Sequence, residues 1–426
     1  MKKWFLSTLV VLSLAGCNET DDLISIDTLG TTSPKRSQLR SYEEAKLIAQ
    51  QSISMLDSDS DNSVTTRGVS SSRTIQDKDT YIVCADPSET RSSESFDNDT
   101  LMYVFNFENK QGFAIVSASN NTEGLLAITE KGYFDPDSIS EIEGFNIFIE
   151  SAKNYVSKAK AQPQNNPQRA LHKPLVRDSI GYRPGYAVGP YVSVSWGQIF
   201  PEGELCPNGV CGCTNTSIAQ IMSYYEYPSS IALTNPTTGP MNQVLNWTLM
   251  KSHQTLHTIN NCSTPSTHMS ISRLSRELGH LNGSTYNPGV YYNATTGTDR
   301  FVVPTTMSTL GYQTGSWTDY DFSLVKAQID STHLCMMSGL DTSLGRHAWT
   351  LDGYHTTEKV VYHLEQLGLN LTWVITGYDL ICYIYYCHYN WGWYGNYNGY
   401  FSTSAFNSGG GGNYNTEVQF LPIYLQ

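Results

Sequence analysis

The sequence predicts an α+β protein in two parts: a mixed helix-and-strand unit first, then a larger part whose helices precede its strands. Three observations carry that expectation. A Gly-rich turn, Asn208-Gly209-Val210-Cys211-Gly212-Cys213, runs into a helix whose apolar residues Ile218, Ile221, Met222 and Tyr225 fall at i, i+3, i+4 and i+7. Residues from about 213 to 290 read as helical, and the chain after Val290 reads as strands. Between about 38 and 160, a capped helix, three strand-like runs and a second helix form a unit of their own.

At the N-terminal end, Lys2 and Lys3 precede an apolar run from Trp4 to Ala15, closing in Leu14-Ala15-Gly16-Cys17. This is the pattern of a secretory signal, too short for a membrane-spanning helix. The ending resembles a bacterial lipobox. Residues 1–16 are therefore expected to be removed and Cys17 to carry lipid, with an ordinary cleaved signal as the alternative. Residues 17–37 read as a flexible tether with an acidic start, Asn18 to Asp22. The expected location is outside the cytoplasm, at an outer membrane or cell surface.

Ser41-Tyr42-Glu43-Glu44 reads as a capping box, and Ala45, Ile48, Ala49, Ile53 and Leu56 give the helix after it an apolar face. Residues 57–75 are rich in Ser, Asp and Thr and read as a loop. Strand-like runs follow at Thr80–Cys84, Leu101–Phe107 and Gly112–Ala118, and a helix from about Ser138 to Lys160 closes the unit. Residues 161–187 have many Pro, Gln and Asn and no apolar period, as in an exposed linker open to nicking. Lys158, Lys160, Arg169, Lys173 and Arg177 are all candidate maturation points. In the larger part, Ile271, Leu274 and Leu278 form a buried helical stripe within Ser270–Leu281. Strands are expected at Tyr312–Thr314, Leu334–Met337, Ala348–Leu351, Val360–Tyr362 and Ile381–Tyr389.

The chemistry suggested by this pattern starts at Cys213. Unpaired N–H groups and the positive end of a helix dipole favour a thiolate there, and a nearby imidazolium would lower the thiol pKa further. A lone cysteine at a helix start is more often a small buried hydrophobe, so partners decide the matter. A thiolate nucleophile needs a base that takes its proton and later protonates the leaving amine, and a group that orients the base. His347 lies at the mouth of a strand-like run, 134 residues on (347 − 213), and Asn390-Trp391-Gly392-Trp393 follows. Papain-like peptidases space cysteine, histidine and asparagine in this way.

These segments resemble the streptopain-like cysteine peptidases, bacterial enzymes with a papain-like fold. The shared motifs are Gly212-Cys213 with Ala219-Gln220-Ile221-Met222 before Tyr227-Pro228, the His347-Ala348 pair, and Asn390 to Trp393. A fourth block, Trp196-Gly197-Gln198, lies where that family has the glutamine of its oxyanion hole. The resemblance implies a papain-like catalytic domain over 188–426, made of a helical half and an antiparallel β half. It further implies Cys213 as nucleophile, His347 as acid and base, Asn390 as the group fixing the imidazole, and Gln198 with the Cys213 N–H as oxyanion donors. Trp391 would cover the Asn390–His347 contact and border the substrate. Thr296 and Gly297 stand on a pocket loop of the family, and Ser408 to Asn413 on a mobile glycine loop. Residues 38–160, with their Gly-Phe-x-Ile-Val-Ser-Ala strand, resemble the family's inhibitory propeptide, a generic accessory domain being the alternative. One departure stands out: Arg346 occupies the place of the glycine before the histidine, preceded by Gly345. It is expected to face the substrate pocket, unless it turns to solvent and Gly345 takes the glycine's part.

The expected function is thus a cysteine endopeptidase made as a zymogen, acting on protein or peptide substrates, with its own propeptide as intramolecular inhibitor. The rivals are a catalytically silent surface binding module of the same fold and another papain-like acyl transfer. The 426 residues are 39% hydrophobic and only 15% charged, with a net charge of −13. That excludes the basic surface nucleic-acid binding requires, and leaves a lipid at Cys17 as the only expected membrane contact. Of nine cysteines, Cys206 with Cys211 and Cys382 with Cys387 are possible pairs that sequence alone does not decide. No metal or cofactor is expected. A zinc site on Cys206, Cys211 and Cys213 lacks a second short-spaced pair.

Overall fold

A computed structural model describes residues 39–57, 73–85, 91–92, 99–136, 142–161, 176–234, 241–252, 265–289, 294–341, 345–367, 372–406 and 417–425. Cys17, the candidate cleavage points Arg169 and Lys173, and the glycine loop 408–413 lie outside the described residues.

The N-terminal unit forms as its local signals require. Ser41 caps helix α1 (Tyr42–Ser52): its Oγ accepts from Glu44 N at 3.3 Å, and Glu44 Oε2 accepts from Ser41 N at 2.9 Å. Helix α2 (Ser54–Asp57) continues it. Strands β1 (Ile75–Cys84), β2 (Arg91–Ser92), β3 (Thr100–Phe107), β4 (Phe113–Ser117) and β5 (Leu125–Thr129) build an antiparallel sheet, and helix α3 (Glu143–Ala161) follows. Every residue of β3 is buried because helices cover both faces. Tyr103, Phe105 and Phe107 pack with Ala45 and Ala49 of α1, whereas Met102 and Val104 pack with Phe145 and Phe148 of α3. A strand covered on both sides reads as a continuous apolar run.

The larger part contains β6 (Val176–Val188), α4 (Cys213–Tyr225), the hairpin of β7 (Ser230–Leu233) and β8 (Met241–Val244), α5 (Trp247–Lys251) and α6 (Pro265–Leu281). Then come the pair β9 (Thr285–Asn287) and β10 (Thr295–Gly297), α7 (Val303–Thr309), β11 (Gln313–Thr314), β12 (Thr318–Asp319) and α8 (Phe322–Asp330). The chain ends in β13 (Leu334–Asp341), β14 (Gly345–Leu367), β15 (Thr372–Asn390), β16 (Gly399–Ser402) and β17 (Gln419–Tyr424). The helical half followed by an antiparallel half is the architecture the sequence predicts. Two helices, α7 and α8, lie within the region expected to be dominated by strands.

The expected linker is corrected in part. Val176–Val188 is not irregular: it pairs with β14 from Glu365 to Tyr354. β15 follows one edge of β14, while the other edge is shared by β13, up to Leu351, and β6, from Tyr354 on. Ile180, Tyr182 and Tyr186 of β6 are exposed. From Ile180 to Val188 no side chain is buried, so no buried face imposes an apolar period there, and Pro184 sits beside a register shift where a missing N–H is tolerated. Lys158 and Lys160 fall inside α3, and Arg177 inside β6.

The strands of both parts join in one sheet, because β16 pairs with β5 through Gly399–Thr129, Tyr400–Ile128 and Phe401–Ala127.

Candidate active site

Cys213 is the first residue of α4, half-buried and not in a disulfide. Gly212 ahead of it has φ +86, and a Cβ there would lie 3.0 Å from the Thr296 carbonyl oxygen, so glycine is needed on both counts. Thr214, Asn215, Thr216 and Ser217 do not cap the helix from outside. They lie within it, buried, and two of them fasten the preceding turn. Asn215 Nδ2 donates to the Cys211 carbonyl at 2.7 Å, and Thr216 Oγ1 donates to the carbonyls of Gly212 and Gly197 at 3.0 and 3.2 Å. Thr296, expected to contact substrate, donates through Oγ1 to the Val210 carbonyl at 2.7 Å and so supports the same turn. Gly297 is exposed, with open space around it.

Gln198 is brought to this turn by its own backbone, since the Gln198 carbonyl accepts from Cys211 N at 2.8 Å. Its side-chain Nε2 is buried without a hydrogen-bond partner. A buried amide donor left unsatisfied costs roughly 1–3 kcal/mol, which makes it a group to be explained by function. The loop around it is held by two residues the sequence did not flag. Tyr394 OH accepts from Ile199 N at 2.8 Å, and Glu202 Oε1 accepts from Gly197 N at 3.3 Å. Burial pushes the Glu202 carboxyl up to about 8. Neither residue carries a period or motif that would have revealed it. Cys206 and Cys211 are buried free thiols, as is Cys387, while Cys382 is exposed and also free.

His347 lies on β14 opposite Gly339 of β13 and is fully buried. Strand alternation divides its neighbours. Trp349 and Leu351 share a core with Phe145 and Phe148 of α3, whereas Ala348 joins Ile218, Ile221 and Met222 of α4. The imidazole is stacked at 13° to Trp349, with ring centres 6.4 Å apart, and Nε2 lies 3.4 Å from the Trp391 carbonyl oxygen. Helix α3 presses on it directly. A Cβ at Gly144 would lie 2.6 Å from His347 Cδ2 and 2.5 Å from Trp391 Cε3. Ile147, one turn on, packs against Gly339.

Asn390 is wired differently from expectation. Its Oδ1 accepts from Gln220 Nε2 at 3.0 Å and from Gly392 N at 3.2 Å, and its Nδ2 donates to the Val194 carbonyl at 2.9 Å. The backbone carbonyl of the next residue, Trp391, is the group of this turn that lies beside the imidazole. The Trp391 side chain is also placed differently. It is fully buried against Phe145, Trp349 and Phe401, so α3 and the aromatic cluster separate it from any substrate in this form. Arg346 pairs with Glu417 at 2.6 Å instead of entering a pocket, and Gly345 has φ +95 with open space about it.

A second contact ties the N-terminal unit to the larger part. His388 of β15 is buried; its Nδ1 is 2.6 Å from Asp352 Oδ1 and its Nε2 is 3.1 Å from Glu130 Oε1, just past β5. Burial opposes the imidazolium, but the Asp352 charge and the bonds to both carboxylates outweigh it and raise the pKa to about 10. Burial likewise pushes the Glu130 carboxyl upward, and the His388 bond and charge, aided by Arg73, bring it below its ordinary value.

Comparison with known proteins agrees with this division. A family model described as the Peptidase C10 family matches residues 193–401, and one described as a Spi protease inhibitor matches residues 37–156. The chain is 22% identical over 364 residues to the thiol protease/hemagglutinin PrtT of Porphyromonas gingivalis, a match covering 76% of this chain and 37% of that protein. It thus spans little more than a third of the length of that relative. A prointerpain A fragment from Prevotella intermedia superposes with a TM-score of 0.51 at 18% identity, over 78% of this chain and 96% of that one, which establishes a shared fold.

Proposed function

We propose, from the match of residues 193–401 to the Peptidase C10 family model, that the protein is a streptopain-like cysteine endopeptidase made as a zymogen, cleaving protein or peptide substrates through Cys213 and His347. The Cys213 thiolate forms a bond to the peptide carbonyl carbon, and the C–N bond breaks as His347 gives its proton to the departing amine. Water then attacks the thioester, His347 taking the proton, and Cys213 leaves as thiolate. The oxyanion of each step is received by Gln198 Nε2 and the Cys213 N–H at the start of α4.

The observation that carries this reading is the unpartnered, buried Nε2 of Gln198 on a loop hydrogen-bonded to the Cys213 turn. Latency is supported by α3, whose Gly144 packs against His347 within the segment that matches a protease inhibitor. Export with a lipid on Cys17 belongs to the same proposal and is supported by the Leu14-Ala15-Gly16-Cys17 ending alone. Cleavage of a peptide library by the chain, compared with Cys213→Ala, tests the core of it. Loss of one sulfur should abolish cleavage and self-maturation while leaving the unfolding temperature within about 2–4 °C, the shift expected for roughly 1 kcal/mol in a large domain. Turnover near the parent rate would sink the thiol mechanism.

A further inference from the structure

Gln220 lies on α4 about two turns past Cys213, is fully buried, and has no part in the steps above. Its carboxamide makes three hydrogen bonds, each to a different segment. Nε2 donates to Asn390 Oδ1 at 3.0 Å and to the Trp196 carbonyl at 2.9 Å; Oε1 accepts from Thr350 Oγ1 at 2.9 Å. Trp196 is two residues before Gln198. Thr350 is three residues after His347 on the same strand. Asn390 precedes Trp391, whose carbonyl lies 3.4 Å from the His347 imidazole. One side chain on the nucleophile's helix therefore touches every other segment that carries a group of the proposed mechanism.

We propose that Gln220 is a positioning residue for peptide cleavage: it fixes the turn Asn390-Trp391-Gly392, and through it the imidazole of His347, relative to the helix that carries Cys213. The inference rests on the reading of Cys213 and His347 as the reacting pair. Asn390 Oδ1 receives one proton from Gln220 and one from Gly392 N, so removing the first breaks the side-chain link from α4 to the turn, which then keeps the Nδ2 bond to Val194 and the bonds of Trp391 to Asn398 and Tyr397. A primary amide suits this place because it offers two donors and an acceptor from one planar group. Glutamate would lose the donors, and methionine would keep the volume with no strong polar atom. A side chain serving only the core would affect stability without affecting the pH behaviour of the thiol.

The test uses the full-length chain, incubated until its cleavage rate is constant. In Gln220→Met, kcat should fall about tenfold to a hundredfold, the scale of a small misplacement of reacting groups, with KM changed less than about threefold. The rate of Cys213 alkylation by iodoacetamide in mildly acidic buffer should fall toward that of an ordinary thiol as its imidazolium partner loosens. Asn390→Ala should show the same loss, and the double variant should be no worse than the poorer single one, since both break one chain of contacts. Parent-like kcat and alkylation in a folded Gln220→Met, or losses that multiply in the double variant, would overturn the proposal. If Gln220→Met does not fold, Gln220→Glu with Asn390→Ala gives the same cycle. A parent chain that neither cleaves peptides nor alkylates faster than an ordinary thiol would refute the Cys213–His347 reading itself, an outcome distinct from a working parent beside an equally working variant.

Discussion

On one face of β14, Trp349 and Leu351 share a core with Phe113, Phe145 and Phe148 from the N-terminal unit and with Trp391 and Phe401 from the larger part. On the other face, Ala348 packs with Ile218, Met222, Leu274 and Met307, in a core drawn entirely from Val192 onward. The first core is shared between two parts of the chain, and the second is private to one. They also differ in chemistry. The shared core is aromatic and held by packing, which is non-directional. The private core is bordered by directional bonds, Gln220 to Asn390 and Thr350, and Ser217 to Thr350 at 2.9 Å. The segments that carry Cys213, Gln198 and Asn390 are therefore linked by bonds that do not involve residues 37–156, whereas the His347 side chain faces the shared core. The contacts of α3 with His347 do depend on those residues, and in the proposed zymogen they would hold it latent. The α3 contacts and the hydrogen-bonded scaffold thus meet on opposite sides of one strand.

The sharpest way to break the comparison is Phe145→Ala, which removes a fully buried ring packed on Trp391, Tyr397 and Phe401. It should cost about 3–5 kcal/mol in the shared core. Cleavage by unprocessed chain should then appear earlier, and kcat of the processed enzyme should stay at the parent value. Unchanged latency would mean that α3 is not what holds His347.

Gln198→Ala probes the private side. Its effect should be a fall of about a hundredfold in kcat, roughly 2.7 kcal/mol of transition-state stabilisation, with the lag before activation unchanged apart from slower self-cleavage. Steady-state kinetics on processed enzyme, together with thermal unfolding of the full chain, separates this from a folding defect.

Gly144→Ala adds a methyl group where a Cβ would meet Trp391 at 2.5 Å and His347 at 2.6 Å. The crowding should cost about 1–3 kcal/mol, offset in part by the better helix propensity of alanine, about 1 kcal/mol. Activity of unprocessed chain should rise, but less than in Phe145→Ala. A variant more latent than the parent would show that the helix end can shift to accommodate the methyl.

The smallest effect expected is a pH dependence of the Glu130–His388 contact. The lowered Glu130 carboxyl contributes stability above its unfolded value near 4.5, and loses it as pH falls through the folded value. The raised His388 contributes fully below 6.5, and loses it as pH rises through about 10. As far as these two groups decide it, the full chain should be most stable between about pH 4.5 and 6.5. Unfolding temperature against pH should show that maximum, and Glu130→Gln should flatten the acid limb while Asp352 keeps much of the alkaline one. An acid limb identical to the parent's would remove Glu130 from the account.

Much of this was legible in the residues. The capping box at Ser41, the apolar runs of β3 and β4, the start of α4 at Cys213 and the stripe Ile271, Leu274 and Leu278 all follow from local period and local hydrogen bonding. The four motif blocks named the segments that meet at the site. What they did not reveal was the pairing. β6 has no apolar period because its hydrogen bonds go to the edge of β14 and none of its side chains from Ile180 to Val188 is buried. Asn390 carries the letter expected of an imidazole partner, yet its oxygen is occupied by Gln220 and Gly392.

The sequence by itself determined the nucleophile's helix, the order of the motif blocks and the existence of an N-terminal unit, because each depends on residues a few positions apart. Only the tertiary structure decided that β5 and β16 join the two parts in one sheet, that Gly144 lies against His347, and that the Trp391 carbonyl lies 3.4 Å from the imidazole Nε2. Those contacts join residues dozens to hundreds of positions apart. Which groups meet across such distances is fixed by the packing of whole elements and by the saturation of individual donors and acceptors, and neither leaves a local pattern in the chain.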